Sequence, residues 1–166
     1  AAAGLPHRAV PVGAPYEQGY EDAIDGLARD GIEVLVTGDI DRVHGQDNWI
    51  VQRARGRVEV DRPLWEADRQ AVLERMVREG WDVRITLAYH EHFAPPGVAG
   101  RALDAALVAE FVARQQQGEL DACGENGEYH TCVLWAPGFE RRLTLENPRV
   151  QHAEAYDHLV FDGVTS

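Results

Sequence analysis

Two spacings of apolar residues alternate along the chain. In "YEQGYEDAIDGLARDG", Tyr20, Ala23, Ile24 and Leu27 recur at helical intervals, and Gly31 stands where a glycine closes a helix. "HRAVPV" upstream reads as a short strand. "IEVLVTGDI" downstream is nearly continuous in Ile32, Val34, Leu35 and Val36, as expected of a parallel strand covered on both faces. "QDNWIVQRARG" predicts a short helix with Asp47 or Asn48 at its cap, and "RVEVDRPLW" a strand ending at Pro63. "EADRQAVLERMVREG" sets Val72, Leu73, Met76 and Val77 on one helical stripe ended by Gly80, and "WDVRITLAY" is again a strand. The order β-α-β-α-β-α-β predicts an α/β layer.

The pattern then loosens. "HEHFAPPGVAG" is a loop, "LDAALVAEFVARQQQG" a helix capped by Asp104, and "YHTCVLWA" an alternating strand. "ERRLTLENPRV" and "AYDHLVFDGV" read as terminal strands. The change of character near residues 56 to 63 predicts a division into 1–58, part of a parallel sheet with helices, and 59–166, a smaller mixed α+β domain. The fold class is α/β.

Composition narrows the chemistry. A length of 166 residues suits one domain or one and a half. The formal net charge of −12 repels phosphate backbones, so nucleic acid is not an expected partner. No apolar run approaches the roughly 18 residues that span a bilayer, and the start lacks signal-peptide form. A cytoplasmic protein with no membrane partner is expected. All 16 basic residues are Arg, which excludes a Schiff-base or phosphate-binding lysine. Ser166 is the only serine, which excludes a serine nucleophile in a core. Cys123 and Cys132 are expected to be reduced; with His130 between them their spacing matches no familiar zinc pattern, and no metal ligand set is assigned.

Chemistry concentrates in "GENGEYH". Gly124 and Gly127 permit a tight bend whose amides can line an anion-binding concavity. Glu125 and Glu128 add carboxylates that would split their pKa values into a base and a permanent anion, and His130 adds a group titrating near neutrality. Asn126 and Tyr129 complete the stretch. The plainer reading is a polar hairpin with solvated glutamates. At the end of "VLVTGDI", Gly38 allows close backbone approach and Asp39 points to a ligand or merely caps a turn. Arg42 is the nearest cation for a phosphate, with His44, Asp47 and Trp49 following. Trp65, next to Arg69, stacks on a base or packs locally; His90 and His92 share a metal or face solvent.

Several pieces in order carry a resemblance: "TGDI", Trp49 in the next helix, "PLW", "REG", "GRALD", "CGENGEYHTCVL" and "APGF". Together they resemble the diphthine–ammonia ligase family of ATP pyrophosphatases, related to the adenine nucleotide alpha hydrolases. The resemblance implies a partial HUP-like sheet, ATP and Mg²⁺ as cofactors, and ammonium and a carboxylate as substrates, the latter diphthine on elongation factor 2. It implies adenylation of the carboxylate and attack by ammonia. It puts Gly38 and Asp39 at the nucleotide, and Gly124, Glu125, Asn126, Gly127, Glu128 and His130 at the modified substrate or the incoming ammonia; beside it, Glu125, Glu128 and His130 are the expected catalytic residues, Tyr129 an expected substrate contact and Arg42 an expected nucleotide contact. On this reading the acidic pair faces the Asp39 strand end across a shared cleft.

The chain departs from that pattern. It lacks the "SGGKDS"-type loop that holds pyrophosphate, and Trp135 and Gly138 replace the family's usual residues. An incomplete chain is the favoured explanation, partnered by a complementing N-terminal chain or by its own copies. A non-catalytic nucleotide- or carboxylate-binding module, and a related ligase for another acid, are the alternatives.

Overall fold

The computed structural model describes residues 2–42 and 45–166, which fall into two compact units, one within 7–67 and the other made of 2–6 with 68–166. The first unit holds α1 (Tyr16–Arg29), β1 (Val34–Val36), α2 (Trp49–Ala54) and β2 (Glu59–Asp61). β1 and β2 pair in parallel, Leu35 against Val60. The Asn48 side chain caps α2 by accepting from the Val51 N–H at 2.9 Å, which satisfies a donor that the first turn leaves orphaned. Tyr20 stacks on Trp49 at 6.0 Å between centroids, joining α1 to α2.

Two expectations fail in this unit. Residues 7 to 12, "HRAVPV", form no strand. Pro11 lacks an N–H, and no neighbouring strand takes up the rest. β1 is not covered on both faces: Ile32, Val34 and Val36 are 41%, 45% and 67% exposed. A two-stranded sheet has no second layer to cover them.

The second unit holds α3 (Arg69–Arg78), β3 (Asp82–Tyr89), α4 (Ala105–Gln116), β4 (Tyr129–Trp135), β5 (Thr144–Glu146), β6 (Arg149–His152), β7 (Tyr156–Val160) and β8 (Gly163–Thr165). Asp68 and Asp104 cap the two helices, accepting from Ala71 N–H at 2.7 Å and Leu107 N–H at 2.9 Å. Four strands form one sheet in the order β4-β3-β7-β6, every pair antiparallel, while β5 and β8 pair separately. β3 therefore lies outside the parallel pair, in the mixed unit, as the expected division of the chain places it. Its neighbours β4 and β7 both run against it. Residues buried along β3 are Val83, Ile85 and Ala88, which join Leu73, Leu107, Phe111 and Tyr129 in one core. Burying a side chain such as Phe111 contributes about 1.5–3 kcal/mol.

The α/β class holds, with a mixed unit that is the larger of the two. The units divide between Ala67 and Asp68, not at residue 58, because β2 completes the parallel pair with β1 and belongs with it.

Candidate functional site

The acidic bend joins α4 to β4 and closes on its own carboxylate. Glu128 is 2% exposed. One of its oxygens accepts from the Asp121 N–H at 2.7 Å, the other from the Asn126 N–H at 3.1 Å. Charge-assisted bonds of this kind are stronger than neutral ones. Gly127 N–H reaches back to the Gly124 carbonyl at 3.0 Å. Gly124 and Gly127 both have positive φ, 74° and 87°. Gly124 also lies flat on the Tyr129 ring, where a Cβ would stand 3.1 Å from ring carbon.

Neighbours hold the bend in place. The Asp121 carboxylate accepts from Arg69 at the start of α3 and from the Cys123 N–H at 2.8 Å. Gln115 of α4 accepts from the Ala122 N–H at 2.9 Å. The Tyr129 hydroxyl donates to the Ala122 carbonyl at 2.6 Å, while its ring packs on Phe111 and Phe93. Burial pushes the Tyr129 phenol upward and the Cys123 thiol to about 12, helped at Cys123 by the Asp121 charge. Cys132 is raised by burial as well, and both cysteines are free thiols.

Glu128 anchors the bend, with both its oxygens on backbone amides and solvent excluded. Tyr129 belongs to the core. Glu125 is half-buried and Asn126 exposed on the bend. His130 pairs with Leu87 on β4, is exposed, and projects from the face opposite Tyr129. Asp121 and Gln115 were not singled out from sequence; the one signal was an aspartate two residues before a backbone N–H it could bond, ahead of a glycine.

His90 and His92 do not converge. His92 meets Phe93 edge-on at 6.5 Å between centroids. His90 Nε2 bonds to Asp157, a fully buried residue of β7, at 2.9 Å.

The expected nucleotide residues belong to the other unit. Asp39 accepts from the Thr37 hydroxyl at 2.8 Å and from the side-chain amide of Asn48. It therefore braces the cap of α2. Gly38 is exposed, and a Cβ there would meet nothing within 4 Å. Arg42, Arg55 and Arg62 all reach Asp47, at 3.5, 3.1 and 3.4 Å. Arg62 lies 3.7 Å and Arg42 5.6 Å from the Trp65 ring centre, so Trp65 stacks on guanidinium groups. His44 lies outside the described residues. Among the described residues no three His, Cys, Asp or Glu side chains gather to hold a metal, and no helix is long and apolar enough to cross a membrane.

Together these features define a mixed α/β protein whose larger unit presents a self-anchored acidic bend at one end of an antiparallel sheet. The model of one family, the diphthamide synthase C-terminal domain, matches residues 68–162, more than half of the chain, and the chain belongs to that family. The match covers the whole bend and nearly all of the larger unit. No curated protein matches the chain.

Proposed function

We propose that the chain supplies the substrate side of an ATP-dependent, amide-forming ligase of the diphthine–ammonia ligase kind. The carboxylate oxygen of the acid attacks the α-phosphorus of ATP, giving acyl-adenylate and pyrophosphate. Ammonia then adds to the acyl carbon, AMP leaves, and one proton is released with the amide. The acid is diphthine on elongation factor 2 or a related carboxylate, and the reaction belongs in the cytoplasm.

The observation that carries this reading is the bend held by Glu128, in a chain whose family is established. A buried carboxylate that spends both oxygens on amides fixes the backbone of the bend, on which Glu125 and Asn126 are assigned to the ligand. Glu125 is the carboxylate to bind ammonium and accept its proton. Asn126 orients the acyl group, and exposed His130 is a second proton carrier. In the smaller unit, Gly38 and Arg42 are assigned to the nucleotide, supported by the gathering of Arg42, Arg55 and Arg62 on Asp47. Asp39 serves that end by holding Asn48. Mg²⁺ would come with the phosphates, which need few protein oxygens.

The test uses this chain with a chain bearing the pyrophosphate-binding loop. AMP release that needs both ammonium and the acid, and that falls at least about tenfold with Glu125→Gln, is expected. A formed complex that binds ATP but releases no AMP would favour a binding module without turnover and end the proposal.

A further inference from the structure

Asp157 is a buried carboxylate that the proposed reaction does not use. It sits on β7 between Ala88 of β3 and His152 of β6, and it is 0% exposed. A single oxygen, Oδ1, meets both His90 Nε2 at 2.9 Å and His152 Nδ1 at 2.7 Å. Oδ2 has no hydrogen-bond partner. It is covered by Gly97, where a Cβ would come within 2.8 Å of it. Leaving half of a buried carboxylate unpaired is costly, so its compensation must come from the two histidines.

The partners favour the charged form of His90. Its Nδ1 lies 3.2 Å from the Glu154 carbonyl and its Nε2 faces the Asp157 carboxylate. With Asp157 ionised both partners are acceptors, and an imidazolium His90 can donate to both of them at once. His152 needs only its Nδ1–H for Asp157.

This cluster and the acidic bend share the end of β3. The His90 N–H donates to the Ala155 carbonyl at 2.9 Å, and the adjacent Tyr89 N–H donates to the Glu128 carbonyl at 3.2 Å. Ala88 pairs with Tyr129 on one side and Asp157 on the other. We infer that Asp157 and His90 form a proton-operated clasp that positions the end of β3 and, through it, the acidic bend. As a device for regulating a substrate site it rests on the reading given above; as a clasp it stands without it. Loss of the His90 proton leaves a lone pair against one of two acceptors. One contact must then open, and the β3 end loosens.

Ionisable groups at this end of the packed elements are Tyr89 of β3, Glu91 and His92 of the following loop, His152 of β6, Glu154 of the turn, and Tyr156 and His158 of β7, while Asp82 and Arg84 of β3 and Arg149 of β6 lie at the strands' other ends. His158 pairs with Leu87 and Gln151 and so lies on the opposite sheet face. The hydrogen bond to Asp157 raises His90 above its ordinary value, and the bonds from the two histidines lower Asp157. A raised base stabilises the fold fully below its unfolded pKa, about 6.5, and loses that contribution as pH rises through the folded value. A lowered acid contributes above its unfolded pKa, about 3.9, and loses that as pH falls through the folded value. The clasp is therefore tightest in mildly acid to neutral solution and is released on the alkaline side by His90.

The test combines ring ¹⁵N–¹H spectra with amide exchange at Tyr89, Asp121 and Asn126, from about pH 5 to about pH 9. In the unmodified chain, both His90 nitrogens carry protons at neutrality. Exchange at the three amides should accelerate about tenfold beyond the base-catalysed trend as His90 titrates. His90→Gln keeps a donor for Asp157 that never titrates, so its extra acceleration should vanish. His90→Ala should exchange fast throughout. A neutral His90 ring at neutrality, or the same pH trend in the unmodified chain and His90→Gln, overturns the inference. Asp157→Asn is a second probe, and its misfolding would not affect the comparison. Silence in the AMP assay would end the ligase reading and leave this result intact.

Discussion

Gly124 and Gly127 have the same backbone sign for different reasons. Both need a left-handed conformation, which costs other residues roughly 1–2 kcal/mol. Only Gly124 also meets a wall, the Tyr129 ring, whereas a Cβ at Gly127 meets nothing within 4 Å. Gly127→Ala should therefore destabilise the larger unit by about 1 kcal/mol, and Gly124→Ala by about 2–3 kcal/mol through added steric overlap. Urea unfolding midpoints measure both, and equal losses would contradict the contact. At this scale the sequence was half legible. That a bend forms at "GENGEYH" follows from its glycines. That one glutamate turns inward as its anchor does not, because spacing alone does not say which carboxylate meets the Asp121 and Asn126 amides.

Helices were legible as elements by their apolar spacing, and α2, α3 and α4 also carry their own start signal, whereas Pro15 gives α1 no side-chain cap. Asn48, Asp68 and Asp104 all accept from the N–H three residues on. Asn48 differs in also donating its side-chain amide to Asp39. Asp104→Ala should cost about 1 kcal/mol, the ordinary loss of a cap. Asn48→Ala should cost more, about 2 kcal/mol, because Asp39 loses a donor as well. Thermal or urea unfolding of each variant checks the order. Strands were less legible. "IEVLVTGDI" has the composition of a doubly covered strand, yet Val34 and Val36 are exposed beside a single parallel neighbour. "WDVRITLAY" was legible as a strand but its antiparallel partners were not, since an apolar run does not encode the direction of its neighbours.

For the whole molecule, the division at Ala67 and Asp68 has a measurable consequence. The larger unit has its own core, running from Leu73 to Tyr129. Residues 68–166 made alone should unfold in one cooperative urea transition, with a slope of about 1–3 kcal/mol/M; a broad, non-cooperative loss of structure would show that the unit needs the rest of the chain. By itself the sequence determined the helices, the acidic bend and the family, because caps, glycine punctuation and ordered motifs act over a few residues. The tertiary structure decided sheet membership, the inward turn of Glu128 and the joining of His90 and His152 to Asp157. Those depend on which strands lie side by side, and residues 67 positions apart, such as His90 and Asp157, meet only when the whole sheet has closed.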